Sequence, residues 1–248
     1  MTYRHIFLVL LLACPPAAIA SDGPMAHLFG YRPAPGQAQR FEDGYFEHLA
    51  WHRAHRDPLP WYAWTVADGP RAGLFIDGTF DIPLDGLDKR PDPAGDAADA
   101  QRTFLPYGTP SLRETWRRVS PASTSPLAHP ERPLRIVIYT LKPGMAARFD
   151  VLVADMARVA PPPQPMAWFA PVSGTALNKR VLMVSMKDGA DELPAIDLES
   201  RIDAAVEATS RQAWRGTLAA AIVSVDAETW QPKPKLMLIN RSIEAMSE

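Results

Sequence analysis

The sequence predicts an α+β fold made of two tandem ferredoxin-like units, each of β-α-β-β-α-β order, and two observations predict it. The first is an internal repeat. Tyr31, Pro35, Gly36, Ala38, Arg40, Phe41 and Glu42 return as Tyr139, Pro143, Gly144, Ala146, Arg148, Phe149 and Asp150, each 108 residues later. Trp61, Tyr62 and Ala63, followed by Gly69, return as Trp168, Phe169 and Ala170, followed by Gly174. Glu114, Thr115 and Trp116 return as Glu228, Thr229 and Trp230. A fixed order of anchors at nearly fixed offsets marks two halves that differ by small insertions. The second observation is that the apolar period switches from 2 to 3.6 and back within each half, as strands give way to helices.

The elements follow in order. In the first half, Met25 to Tyr31 reads as a strand, Gln37 to His55 as a helix, and Trp61 to Val66 and Gly73 to Ile76 as two strands. A degraded second helix falls within Ala97 to Leu105, and a last strand within Leu112 to Val119. In the second half, Leu134 to Leu141 is apolar on both alternating faces, the pattern of a strand covered on two sides. Pro143 and Gly144 end it. A helix then carries Phe149, Val153, Met156 and Ala160 on one face. Trp168 to Val172 and Arg180 to Met186 read as strands around a turn. Asp197 is placed to cap a helix bearing Leu198, Ile202, Ala205 and Val206, and the final strand lies near Trp230.

Outside these units, residues 1–20 read as a secretory signal peptide, with Arg4 and His5, an apolar run, and Ala18, Ile19 and Ala20 before Ser21. That run is too short to span a bilayer as a helix. The competing reading is a lipoprotein signal with Cys14 lipidated. Under the soluble reading the mature chain is periplasmic or secreted and carries no cysteine, hence no disulfide. The first unit occupies 21–120, a linker with four prolines 121–133, and the second unit with its tail 134–248. Twenty-six basic against 28 acidic residues, with no basic stripe, argue against nucleic-acid binding. Motifs for serine hydrolases, phosphate loops, dinucleotide sites and zincins are absent.

A strand closing on a Pro-Gly turn, an Arg-Phe-acid helix start and a Trp-aromatic hairpin, all repeated, resemble the dimeric α+β barrel superfamily. Within it the sequence is most similar to the NIPSNAP-like and antibiotic biosynthesis monooxygenase-like groups. The resemblance implies that the two units pack sheet against sheet as a barrel inside one chain, which would then be competent as a monomer. The superfamily includes cofactor-free oxygenases, haem-degrading enzymes, isomerases and non-catalytic binding proteins, so the fold alone does not choose among them.

Alternation along the first strands puts Leu134, Ile136 and Ile138 on one face and Arg135, Val137 and Tyr139 on the other. The apolar face is expected under the helices and the mixed face toward the barrel. By the offset, His27 matches Arg135 and Tyr31 matches Tyr139. These four, with Trp61 and Trp64 as walls, are the candidate ligand-binding residues, against the alternative that they simply bond one another in a packed barrel. The expected partner is a small apolar or aromatic molecule, bound without necessary turnover. The alternatives are an oxygenase or haem-degrading type of enzyme, with His27, Tyr31 or Arg135 orienting substrate, and an interaction scaffold.

His48, His52 and His55, spaced i, i+4, i+7, are further candidates, for a divalent metal or haem iron. However, the offset matches His48 and His52 to Met156 and Ala160 on a core face, so the preferred reading is structural or pocket-lining histidines and no cofactor. Asp77, Asp81, Asp85, Asp88, Asp92, Asp96 and Asp99 lack the alternate spacing of a calcium loop and read as a solvated acidic loop.

Overall fold

The computed structural model describes residues 24–119, 122–123, 131–159, 166–173, 177–186 and 198–239. Residues 1–20 with Cys14, most of the 121–133 linker, Ala160, Gly174 and Asp197 lie outside the described residues. The first half runs β1 (Met25–Pro33), α1 (Ala38–Ala54), β2 (Tyr62–Val66), β3 (Phe75–Ile82), α2 (Pro93–Thr103) and β4 (Gly108–Arg118). The second runs β5 (Leu134–Leu141), α3 (Ala146–Val159), β6 (Met166–Ser173), β7 (Lys179–Ser185), α4 (Leu198–Ala205), α5 (Ala208–Ala221) and β8 (Ile222–Pro232). Helix α5 was not expected. It packs against α3 and α4, with Leu218 and Ala221 buried and Trp214 partly so.

The fold is mixed α+β with an antiparallel sheet of eight strands. In the order β1-β3-β2-β8-β5-β7-β6-β4 the sheet closes into a barrel. The strands of the two halves meet at β2–β8 and β4–β6, so the barrel has no open edge between them. Gly36 and Gly144, at the two Pro-Gly turns, both take left-handed backbone, with φ +72° and +77°, where a side chain would be strained.

All eight strands contribute side chains to one packed interior, among them Leu28, Trp64, Ile76, Trp116, Ile136, Phe169, Met183 and Trp230. This corrects the expected orientation of the strands. Leu134, Ile136 and Ile138 point into the barrel, while Val137, Tyr139 and Leu141 pack beneath the helices of the second half. The physical reason is closure: a barrel this narrow is filled by its own side chains, so its inward face must be the wholly apolar one. Here the repeated Glu-Thr-Trp makes the same bond twice, Trp116 Nε1 donating to Glu114 at 3.0 Å and Trp230 Nε1 to Glu228 at 2.9 Å.

Candidate functional site

Because the barrel interior is filled, the histidines of α1 and the carboxylates Asp57, Asp77, Asp96 and Asp99 collect outside it, between the sheet and α1 and α2. Helix α1 buries Phe41, Tyr45, His48, Leu49 and His52, a face at i, i+4, i+7, i+8 and i+11. Helix α2 starts at Asp92, whose side chain accepts from the Gly95 N–H at 2.9 Å, with Pro93 in the first turn, both favoured helix-start chemistry. A Cβ on Gly44 would lie 2.3 Å from the Thr103 carbonyl oxygen. Only glycine allows α1 and α2 this close approach, which brings His48 to Asp96 and Asp99.

The central group is a triangle. His48 Nε2 lies 3.2 Å and His52 Nε2 3.4 Å from Asp96 Oδ1, and the two Nε2 atoms are 3.2 Å apart. Each ring is fixed from behind by another carboxylate: His48 Nδ1 lies 2.9 Å from Asp99 Oδ2, and His52 Nδ1 2.7 Å from Asp57 Oδ2. Asp57 also accepts from Trp61 Nε1 and the Leu59 N–H. Arg90 donates to the other oxygen of Asp96 at 2.6 Å. Burial opposes charge on His48, but its bonds to Asp96 and Asp99 prevail and raise its pKa. Burial would also raise Asp57, Asp96 and Asp99. Their histidine partners outweigh it and hold all three below the ordinary carboxylate range.

Beside the triangle lies a cavity of about 500 Å³, walled by Phe29, Tyr31, Trp61, Leu87, Phe104 and Leu112 and bordered by Arg90, Arg113 and Asp77. Its size is that of a small-molecule site. Arg90 stacks over the Trp61 ring at 5.6 Å, and Arg113 over Phe29 at 5.7 Å. Asp77, 5% exposed, accepts from the Tyr45 hydroxyl at 2.6 Å through Oδ2, while its Oδ1 has no partner. Burial is the main reason that its pKa is pushed up to about 7, and the Tyr45 bond reverses this only in part. Burial, then the neighbouring Asp77, pushes Tyr31 and Tyr45 well above the ordinary tyrosine value.

The structure divides the candidate residues. Tyr31 and Trp61 line the cavity with His48 and His52. His27 faces a smaller adjoining hollow, its Nδ1 3.2 Å from Thr115 Oγ1 and its Nε2 unpartnered. Burial lowers its pKa. Trp64 lies in the packed interior and Tyr139 in the packed layer of the second half. Arg135 bonds Thr229 at 3.0 Å and Asp68 at 3.4 Å. His27, Tyr31, Arg135 and Tyr139 therefore do not surround one interior, because all four project from the outer face of the barrel. His55 leaves the histidine group: it is exposed, bonded to the Trp51 carbonyl and stacked on the Trp51 ring at 3.9 Å. Asp77, Asp96 and Asp99 are not solvated loop residues. Asp77 is on β3, and the other two are on α2, packed against α1. The signal for them was Asp92 and Pro93 as a helix start, which puts Asp96 and Asp99 one turn apart on one face.

Comparison with known proteins identifies the architecture. No family model matches the chain, and no curated protein matches it. A monooxygenase-like protein from Lactobacillus acidophilus has 11% identity, with 85% of this chain and 94% of that one aligned and a TM-score of 0.51. A variant chlorite dismutase from Candidatus Nitrospira defluvii has 10% identity over 87% and 94%, with a TM-score of 0.50. This likeness establishes the α+β barrel fold.

Haem does not fit the triangle. An iron about 2 Å from one Nε2 would bring its macrocycle into the second Nε2 and the Asp96 carboxylate, both beside the first at 3.2 Å.

Proposed function

We propose that the chain is an exported protein that binds a small aromatic molecule in the cavity between β1, β3, α1 and α2. The observation that carries this reading is the cavity itself: aromatic walls, two arginines at its border, and Asp77 among its lining residues. Ring-bearing ligands suit the aromatic walls, and a ring hydroxyl suits the Arg90 and Arg113 border. Titration with simple phenols and anilines, followed by Trp61 fluorescence, is expected to saturate. Ala97→Trp, which adds a ring to an exposed lining position, should weaken binding at least about tenfold without loss of fold. Equal affinity in that variant would refute the location.

A second reading, a cofactor-free oxygenase, is favoured by Asp77 alone. A carboxylate poised near 7 and bonded to a tyrosine suits proton abstraction from a phenolic substrate. Turnover of a phenol under oxygen, lost in Asp77→Asn while binding persists, would select it.

The same proposal takes the two halves as tandem ferredoxin-like units and the chain as competent as a monomer. The matched Pro-Gly turns and Glu-Thr-Trp bonds support this, and solution mass tests the oligomeric part. Export through residues 1–20, soluble or lipid-anchored at Cys14, is tested by intact mass and membrane fractionation.

A further inference from the structure

Three ligand atoms from two helices converge at one point, and each is braced from behind. A zinc-class ion bound at about 2.0–2.2 Å to nitrogen and oxygen in tetrahedral geometry has ligands about 3.3 Å apart. The edges of the triangle are 3.2, 3.2 and 3.4 Å. An octahedral magnesium site needs edges of about 2.9 Å and prefers oxygen, and calcium takes oxygen ligands only. The donor set of two imidazoles and one carboxylate therefore selects a transition metal or zinc.

The bracing carries equal weight. Both Nδ1 atoms face carboxylates, which favours the Nδ1–H tautomer and leaves both Nε2 lone pairs available to a cation, the arrangement that orients metal-bound histidines. Arg90 holds the second oxygen of Asp96, so Oδ1 alone is presented. Asp57, Asp96 and Asp99 bring three carboxylates to two imidazoles, and Arg90 on Asp96 and Arg102 on Asp99 offset only two of them, so with neutral imidazoles the cluster stays net negative and attracts a cation. All three ligand residues line the cavity.

We propose that His48, His52 and Asp96 form a tetrahedral divalent-metal site of the zinc class, its fourth position open to the cavity. His55 takes no part, and Asp57, Asp99 and Arg90 position the ligands. The fourth position admits water or an anionic oxygen of whatever the cavity holds, and the proposal stands whether or not the organic-ligand reading does.

The test uses the full chain, stripped with chelator and titrated with cobalt(II) and then zinc. One equivalent of cobalt should give the intense visible bands of a tetrahedral ion, and zinc should abolish them. His48→Gln and His52→Gln should weaken binding about 100-fold or more. Asp57→Asn and Asp99→Asn, which keep every ligand, should weaken it about 10- to 100-fold, and His55→Ala should leave it unchanged. Circular dichroism establishes which variants are folded. A wild-type chain that yields no tetrahedral cobalt spectrum overturns the proposal, as does undiminished binding in a folded His52→Gln variant. In those cases the triangle is held by a proton shared between the imidazoles.

Discussion

The two helix-covered layers of the barrel occupy matched positions and have opposite chemistry. Beneath α3, α4 and α5, Phe149, Leu152, Val153, Met156, Met166 and Trp168 make an apolar core, with the Arg201 side chain of α4 buried beside the Met166 sulfur. Beneath α1 and α2, Phe41 and Leu49 keep that character, but Tyr45 stands where the offset places Val153, and His48 where it places Met156. Carboxylates on β3, on α2 and after α1 complete a polar cluster beside a cavity. The same architecture thus carries a mainly apolar layer in one half and a polar cluster beside a cavity in the other, because a few inward helix positions are polar in the first half and α2 supplies their partners.

The sharpest way to break this comparison is to move the polar chemistry across. Met156→His should bury an imidazole among Phe149, Leu152 and Trp168, a layer in which no carboxylate is buried among the described residues, at about 3–5 kcal/mol. Urea unfolding measures it, and a neutral result would mean that the second layer is as receptive as the first.

A second contrast lies at the repeated Glu-Thr-Trp. Glu228 is fully buried and receives two bonds from Arg71, both 2.8 Å. Arg71→Met should destabilise by about 3 kcal/mol by leaving that buried carboxylate without its cation and with only the Trp230 Nε1 bond described above. A loss below 1 kcal/mol would reduce Arg71 to a surface contact.

Asp77 gives the polar layer a pH signature. Its folded pKa, about 7, exceeds its unfolded value, 3.8. The folded state therefore binds more protons between these values, and the contribution of Asp77 falls as pH rises through that window. Around it stand Tyr45, His48 and Asp96. In metal-free protein, Asp77→Asn should be more stable than wild type at pH 8, on the order of 2 kcal/mol, and should lose that advantage near pH 4. Parallel melting curves at the two pH values would contradict the burial argument.

The smallest effect should come from His55→Ala. The side chain is exposed, so its removal is expected to change stability by less than about 0.5 kcal/mol and to leave the cavity intact.

Much of the fold was legible from periodicity and repetition. Leu134–Leu141 matches β5, and Gly36 and Gly144 adopt the turns that their neighbours implied. Which face of a strand points inward was not legible. Strand β5 is apolar on both faces, and only closure of the barrel decides between them. Helix α5 and the start of α2 were missed for a related reason. Their apolar stripes are short, and tertiary packing stabilises them more than intrinsic propensity does. For the site, histidine spacing found His48 and His52, but it could not reject His55 or supply Asp96, because that partner comes from a helix some 44 residues further on.

The central claim is that the site lies outside the barrel, under α1 and α2 alone. Chemical-shift mapping of the isotope-labelled chain during titration with phenol tests it most directly. The account predicts saturable shifts centred on Tyr31, His48, Trp61 and Phe104, with Phe149, Met156 and Trp168 unmoved. Shifts centred on the second layer or on Trp64, Trp116 and Trp230 within the barrel, or no saturable shifts at all, would contradict it.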